Sequence, residues 1–259
     1  MDTDVSAATG PGPTGNGVAT YARAVAAHTP TPGGGSVAAV VGALAASLTA
    51  MVGHYSSGRP VPSAPDAATA RGDTAPAAGP ASGAVTRTAG DPPAPGAASR
   101  STGDGHADPF AATVAASDDL RERLLALAAA DEAAYGAYIA ATRLPKGTDA
   151  EKTARRAALQ AALAGAAEVP LAVARAVHGL HPHLAALAAG GNPHVLSDVV
   201  VAALCAEAAG RAALVNVRVN ARLLKDKERG RAYLSEADDL ESTLRAWTGD
   251  VIMVANARA

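Results

Sequence analysis

The 259-residue sequence has few cysteines, few aromatic residues and no excess charge of either sign. It contains one Cys, one Phe and one Trp, and aromatic residues make up 3% of the chain. The single cysteine, Cys205, excludes a disulfide framework within the chain and favours a reducing compartment, so we predict a cytoplasmic protein. The 22 basic and 24 acidic residues give a net charge of -2. This balance argues against nucleic acid as a partner.

Signals for strands and for targeting are also missing. The sequence has no hairpin turn between alternating apolar residues and no alternation of strand and helix patterns. Its acidic, Pro- and Gly-rich start does not resemble a secretory signal. Residues 37–53 carry no charge, but the segment is short for a bilayer and rich in Ala and Gly. We therefore predict a buried helix there and no membrane partner.

Helical patterns dominate what is present. Apolar spacing, caps and stop signals predict helices over residues 18–28, 36–56, 118–142, 148–190, 197–225 and 231–256. Thr148 and Glu151 have the spacing of a capping box, and Pro170 is expected to kink or restart its helix. The predicted fold class is an all-α, multi-helix bundle.

One long segment interrupts this pattern. Pro, Gly, Ala, Ser and Thr dominate residues 59–117, and Val61 and Val85 are the only large apolar residues between 60 and 109. Such a segment buries too little apolar surface to offset the entropy lost on ordering, which predicts a disordered insertion. Residues 1–17 are predicted to be a flexible tail. The remaining residues, 18–58 and 118–257, are expected to form a single helical domain.

A Gly-rich loop is the first candidate site. In "HTPTPGGGS" (residues 28–36) the glycines permit a tight turn, and Ser36 is placed to cap the helix that follows. A loop before a helix start can bind an anion or a polar ligand, although a plain connection between two packed helices also explains it. No Gly-Lys-Ser/Thr follows and no strand precedes the loop, which excludes the common nucleotide-binding loops.

Asp131 is the second candidate. It falls on the apolar stripe of its predicted helix, with Leu127, Tyr135 and Tyr138. A carboxylate there is unfavourable unless it is paired or functional, and a buried acid with a raised pKa marks a functional site. The alternative is that Asp131 and its neighbour Glu132 face solvent between small alanines.

Polar residues also occur along one later helix. Asn192, Ser197 and Asp198 surround its start, where capping alone would explain Ser197 and Asp198. Asn216 and Asn220 lie on the same face as Asp198, but Asn216 is eighteen residues further along. That spacing corresponds to about 27 Å of helix. The two groups therefore contact different partners, or a second copy of the chain brings other residues to each.

Two sets of residues carry weaker signals. His178, His181, His183 and His194 cluster in sequence, but Pro182 breaks their helical spacing and no cysteine accompanies them, so we predict no metal site. Basic residues, Lys146 among them, surround the turn near residue 147. They can hold an anionic ligand, although such runs usually form a solvated helix face.

Five segments together resemble one known family. They are "PTPGGGSVAAVVGALAASLTAMVG" (30–53), "DEAAYGAYIAATRLPK" (131–146), "EVPLAVA" (168–174), "GNPHVLSDVVVAA" (191–203) and "ALVNVRVNARLLKD" (213–226). In this order they resemble the cyclodeaminase/cyclohydrolase family of folate enzymes. The resemblance covers residues 18–58 and 118–257. It implies an all-helical subunit, a homodimer, and a folate site near the subunit interface that is lined by the Gly-rich loop.

The resemblance implies one of two reactions. A methenyltetrahydrofolate cyclohydrolase hydrolyses 5,10-methenyltetrahydrofolate to 10-formyltetrahydrofolate, whereas a formimidoyltetrahydrofolate cyclodeaminase forms the methenyl compound and releases ammonia. Both need an acid, a base and negative charge near a cation, and neither needs a metal or a redox cofactor. The absence of a formiminotransferase domain from these residues favours the cyclohydrolase. The alternative is a non-catalytic helical binding protein with a degenerate folate site.

Residue roles follow from that chemistry. We expect Asp198 and Asp131 to be catalytic, with Asp198 first and beside the Gly-rich loop, and Lys146 to be an ion-pair partner. The residues expected to contact the tetrahydrofolate substrate are Gly33, Gly34, Gly35, Ser36, Asn192, Ser197, Asn216 and Asn220.

Overall fold

The described part of the chain is entirely helical. The computed structural model describes residues 13–57 and 108–259, and within these ranges it contains seven α-helices, one turn of 3₁₀ helix and no strand. The helices are α1 (Pro13–Val25), α2 (Gly34–Ser56), α3 (Ala111–Thr142), α4 (Asp149–His178), α5 (His181–Gly190), α6 (Leu196–Leu223) and α7 (Lys227–Asn256), with the 3₁₀ turn at Pro193–Val195. The predicted all-α class is confirmed.

Four helices form the centre of the bundle. α2 packs against α3 and α6, and α4 packs against the same two helices, while α7 covers the outside of α6 and α5 lies against α6 and α7. Leu124, Leu171 and Leu214 are fully buried between them. Gly42 lets α2 approach closely, because a Cβ there would lie 2.9 Å from Val177 and 3.3 Å from Leu124.

The uncharged helix α2 buries its small side chains. Its alanines and glycines from Gly35 onward are buried, including Ala39, Ala45 and Ala46 at 0% exposure. Some of the larger apolar side chains of α2 point outward instead, and Leu44 and Tyr55 are 57% and 61% exposed. Small side chains permit the shortest distance between helices, which explains why this face turns inward.

The start of α3 differs from the sequence prediction. The helix begins at Ala111 rather than near residue 118, so the prediction that the insertion extends to residue 117 is wrong. Phe110, Thr113 and Ser117 are buried, and this burial stabilises the additional turns. The Asp108 carboxylate accepts the Phe110 N–H at 2.9 Å just before the helix. The rest of the predicted insertion and most of the predicted N-terminal tail lie outside the described residues.

Helix α4 continues through its proline. Thr148 and Glu151 form the predicted capping box at its start. Pro170 neither ends nor restarts the helix, which runs on to His178. Proline has no N–H to give to the carbonyl four residues earlier. Here the Ala166 carbonyl accepts a hydrogen bond of 2.9 Å from the side-chain amide of Asn220 instead, which ties α4 to α6.

Three segments of the described chain are long and apolar enough to cross a membrane, judged by length and composition alone. They are Gly34–Ser56, Ala111–Thr142 and Asp149–Gly190. The sequence-based expectation that the chain has no membrane partner stays a prediction.

Candidate active site

A cavity of about 340 Å³ lies at the N-terminal end of α2. Its walls come from the loop before α2 and from α2, α3, α4 and α6. The lining residues are Pro30, Thr31, Gly33, Gly34, Gly35, Asp131, Ala134, Tyr135, Tyr138, Leu163, Ala166, Asn216, Val219, Asn220 and Leu223. The structure therefore brings together five predicted site groups from distant parts of the chain: the Gly-rich loop, the first turn of α2, Asp131, Asn216 and Asn220.

The Gly-rich loop leaves the start of α2 without a cap of its own. The helix begins at Gly34, and Gly33 has no side chain with which to cap it. Ser36 lies within the first turn, so the prediction that it caps the helix is wrong. Its backbone N–H donates to the Asp131 carboxylate at 3.0 Å. A Cβ on Gly35 would overlap this carboxylate, so the approach of α3 depends on glycine at that position.

Asp131 has the properties expected of an acid–base group. It is half-buried and faces the cavity, which agrees with the functional interpretation rather than with a solvated position. Burial raises the pKa of Asp131, and the neighbouring Glu132 charge raises it further, while the hydrogen bond from the Ser36 N–H acts in the opposite direction. The carboxyl therefore holds its proton to a higher pH than an exposed aspartate does.

The two asparagines of α6 complete the opposite wall. The Asn216 side-chain amide donates to the Ala212 carbonyl at 3.3 Å and lies across from Gly34. The Asn220 amide donates to the Asn216 carbonyl at 3.0 Å as well as to Ala166. Because the proline of α4 frees the Ala166 carbonyl, Asn220 has a structural role in addition to lining the cavity.

Asn192 lies at the other end of α2. Its backbone N–H donates to the Ser56 hydroxyl at 2.9 Å, and its side-chain amide donates to the Tyr55 carbonyl at 2.9 Å. Its side-chain oxygen caps the 3₁₀ turn by accepting the His194 N–H. Asn192 therefore fixes the C-terminal end of α2, far from the cavity within this chain.

Asp198 and Ser197 also lie outside the cavity. Helix α6 begins at Leu196 without a side-chain cap, so Ser197 is not the predicted cap, and Asp198 lies in the first turn. The expectation that Asp198 lies beside the Gly-rich loop of its own chain is wrong. α6 runs antiparallel to α2, so its first turn lies near Asn192 and its later turns near the cavity. The catalytic role of Asp198 stays a prediction.

Lys146 is exposed in the turn between α3 and α4 and does not line the cavity. Lys146 takes no part in the ion pairs formed by residues 13–57 and 108–259. The predicted ion pair between Lys146 and a catalytic carboxylate is therefore not formed within this chain.

The sequence analysis assigned Tyr135 and Tyr138 to the buried face of α3. Both line the cavity, and Tyr135 is 38% exposed. The sequence analysis did not count them among the site residues, although their position on the same helical stripe as Asp131 was a signal that they lie beside it.

Two of the four clustered histidines, His178 and His181, pack against Trp247. The rings of His178 and His181 each lie 3.9 Å from the Trp247 ring, measured between centroids. Burial lowers the pKa of both. Within the described residues no group of three or more His, Cys, Asp or Glu side chains is placed to hold a metal ion.

Comparisons with known proteins agree with the resemblance. The family model described as formiminotransferase-cyclodeaminase matches residues 17–71 and 67–239. The chain is 31% identical over 223 residues to methenyltetrahydrofolate cyclohydrolase of Methylorubrum extorquens, covering 86% of this chain and 88% of that protein. It is 34% identical over 218 residues to rat formimidoyltransferase-cyclodeaminase, covering 83% of this chain but 33% of that longer protein.

A solved structure is also similar. The crystal structure of formiminotetrahydrofolate cyclodeaminase from Thermotoga maritima matches with a TM-score of 0.64 and 25% sequence identity, covering 90% of this chain and 92% of that one. The helical fold, the ordered motifs and these matches lead to one conclusion: the chain belongs to the formiminotransferase-cyclodeaminase family of folate cyclodeaminases and cyclohydrolases.

Proposed function

We propose that this chain is a cytoplasmic methenyltetrahydrofolate cyclohydrolase, which converts 5,10-methenyltetrahydrofolate to 10-formyltetrahydrofolate. The observation that carries the proposal is Asp131, a half-buried carboxyl that faces a cavity and is held at the start of α2. The identity to a named cyclohydrolase over 88% of that protein's length supports this choice of reaction.

The cavity suits the chemistry of a cationic substrate. The methenyl carbon lies between two nitrogens that share a positive charge, and the Asp131 carboxylate favours such a charge electrostatically. Asp131 takes a proton from the water that adds to this carbon. It then returns a proton to the nitrogen that departs as the ring opens. A pKa raised by burial suits a group that must both accept and donate.

Cyclodeamination is the second candidate reaction. It is favoured by the similarity to the Thermotoga maritima cyclodeaminase, 92% of which is covered. In this reaction N10 closes on the formimino carbon and ammonia leaves, so the same carboxyl serves as the base and then as the acid. Neither reaction requires a metal or a redox cofactor.

Absorbance of the methenyl compound separates the candidates. Purified protein is given 5,10-methenyltetrahydrofolate in one assay and 5-formiminotetrahydrofolate in another. A cyclohydrolase accelerates the loss of methenyl absorbance, whereas a cyclodeaminase accelerates its appearance. The Asp131→Asn variant is the control. No turnover in either assay, with tight folate binding, would instead support the non-catalytic binding protein.

We also propose that the chain forms a homodimer through α2 and α6. These two neighbouring helices carry most of the exposed large apolar residues of the described chain: Leu44, Tyr55, Val201, Leu204, Val215, Val219 and Leu223. Val219 and Leu223 also line the cavity, so a second copy on this face would cover its opening. A concentration of exposed apolar side chains on two neighbouring helices indicates an interaction site. Light scattering that gives a monomer mass with full activity would contradict the dimer.

A catalytic role for Asp198 requires this second copy. A two-fold axis that crosses α2 and α6 near their midpoints would place the Asp198 end of one chain opposite the cavity end of the other. Mixing inactive Asp131→Asn and Asp198→Asn subunits tests this. If each site uses Asp131 from one chain and Asp198 from the other, mixed dimers contain one intact site, and random mixing restores about a quarter of the wild-type activity. No recovery would show that Asp131 and Asp198 do not complete one site across the dimer, and full activity of Asp198→Asn alone would remove Asp198 from the chemistry.

A further inference from the structure

The side chain of Ser36 joins two helices to the site. Ser36 is fully buried, and its hydroxyl lies 2.9 Å from the hydroxyl of Tyr21 on α1. The same hydroxyl donates to the Glu132 carboxylate on α3 at 3.2 Å. Because the single Ser36 hydrogen goes to Glu132, Tyr21 must supply the hydrogen of its own bond. The bonds therefore run in one direction, from Tyr21 through Ser36 to Glu132.

Glu132 is the immediate neighbour of Asp131, and Ser36 contacts both. The Ser36 backbone N–H binds Asp131, while its hydroxyl binds Glu132. One residue of the first turn of α2 thus fixes two adjacent carboxyl groups. Both are half-buried.

We propose that Tyr21, Ser36 and Glu132 act as a unit that sets whether Asp131 carries a proton. Glu132 supplies the second carboxyl group held by Ser36, and Tyr21 is a positioning residue that acts through Ser36. The effect on the Asp131 proton is independent of the substrate, while its consequence for catalysis rests on the proposed function.

Two neighbouring carboxyl groups disfavour simultaneous ionisation. The Glu132 charge raises the pKa of Asp131, in addition to the larger effect of burial. The other ionisable groups that line the cavity are the phenols of Tyr135 and Tyr138, and α6 contributes the neutral amides of Asn216 and Asn220. Within the described lining no basic side chain faces Asp131. The charge that acts on this carboxyl is therefore that of Glu132.

Carboxyl NMR titration of the whole protein tests the proposal without any substrate. The carboxyl signal of Asp131 is assigned by its loss in Asp131→Asn and is followed in wild type and in Glu132→Gln. We expect the titration midpoint to fall by half a pH unit or more in Glu132→Gln, on the order of the shift that one neighbouring charge produces. Glu122→Gln removes the same charge from an exposed position on α3 and should leave the midpoint unchanged. An unchanged midpoint in Glu132→Gln overturns the proposal.

The hydroxyl link is tested by a double-mutant cycle. Tyr21→Phe and Ser36→Ala should each move the Asp131 midpoint in the same direction as Glu132→Gln, but by less. The double variant should match Ser36→Ala, because Tyr21 acts only through Ser36. Tyr233→Phe removes a hydroxyl on α7 that accepts from Arg229 and does not line the cavity, and it is the matched control. Additive effects of Tyr21→Phe and Ser36→Ala would overturn the role of Tyr21.

Activity provides a separate readout. The pH dependence of kcat should shift to lower pH in Glu132→Gln, with a smaller effect on KM, and Glu132→Asp should restore part of the wild-type profile. If wild type turns over neither folate but the NMR midpoint shifts as expected, the proposed function fails and the control of the Asp131 proton stands. If wild type is active and the midpoint does not shift, the reverse holds.

Discussion

The two ends of helix α2 are both bound by polar residues from distant parts of the chain, but they differ in what those residues face. At the N-terminal end, Asp131 accepts the Ser36 N–H and faces a cavity. At the C-terminal end, Asn192 is bonded to Tyr55 and Ser56. The helix spans 23 residues, about 35 Å. One chain cannot bring both ends to one small substrate.

The difference distinguishes polar residues that stabilise the fold from polar residues that are available to a ligand. Around Asn192 the hydrogen bonds form a closed set, because its backbone N–H and both side-chain groups have partners within the protein. Arg258 adds bonds to the Ala188 and Gly191 carbonyls nearby. At the other end, Asp131 retains acceptor capacity towards the cavity and a raised pKa. Unused hydrogen-bonding capacity beside a cavity indicates chemistry, whereas a closed set of bonds indicates stability.

The largest expected effect is that of Asp131→Asn. The variant keeps the size of the side chain and an oxygen that can accept the Ser36 N–H, but it loses the acid–base group. We expect kcat to fall about a hundredfold or more. The thermal midpoint should not fall, because a half-buried charge is removed. Activity within threefold of wild type would show that the cavity end does not carry the chemistry.

Gly35→Ala should have the next largest effect. The added Cβ would overlap the Asp131 carboxylate, so α3 or the start of α2 must shift. We expect a loss of about 1–3 kcal/mol in the free energy of unfolding, typical of overpacking, and a fall in kcat of about tenfold or more.

Gly136→Ala is the matched control for that change. Gly136 lies on α3 near Asp131, but a Cβ there meets nothing within 4 Å. The control should gain up to about 1 kcal/mol of stability from its helix propensity. Equal behaviour of the two variants in urea unfolding would contradict the close contact at Gly35.

Asn192→Ala should affect stability rather than activity. The change removes a cap and the bond to the Tyr55 carbonyl in a buried setting. We expect a loss of about 1–3 kcal/mol. Urea unfolding measures this loss, and kcat per folded molecule should stay within about threefold of wild type. A large fall in kcat with unchanged stability would place Asn192 at the substrate, as the sequence analysis expected.

The smallest effect concerns pH. Burial raises the pKa of Asp131 above that of an exposed aspartate, so the folded protein holds this proton to a higher pH than the unfolded chain does. The stability that the protonated Asp131 adds is therefore fully present below its pKa in the unfolded chain. It is lost as the pH rises through its pKa in the folded protein. Unfolding free energies measured from pH 4 to pH 8 should fall for wild type relative to Asp131→Asn. A constant difference would contradict the raised pKa.

Much of the fold and part of the site followed from the sequence. Helical spacing and the capping box at Thr148 identified most of the elements, and the position of Asp131 on an apolar stripe marked it as a candidate acid. The buried face of α2 was not predictable, because alanines and valines surround the helix and its apolar character differs little between faces. The Asn220 bond to the carbonyl freed by Pro170 and the Tyr21 bond to Ser36 join distant segments, and local patterns carry no information on such pairs.

Asp198 shows the same limit. The local sequence predicts that Asp198 lies in the first turn of α6. It does not predict which end of α2 this turn contacts, since that depends on the antiparallel packing of α6 on α2. The spacing of Asp198 and Asn216 along α6 did show that one chain could not bring both residues to the same small site.

The most direct test is the position of a bound folate. A crystal structure of the protein with 5-formyltetrahydrofolate, which carries the one-carbon unit, shows which end of α2 holds the ligand. We expect the one-carbon unit within hydrogen-bond distance of the Asp131 carboxyl, with the ring system between the Gly-rich loop and Asn216. A ligand against Asn192 and Asp198 of one chain, with the Asp131 cavity empty, would contradict the assignment of the chemistry to this cavity.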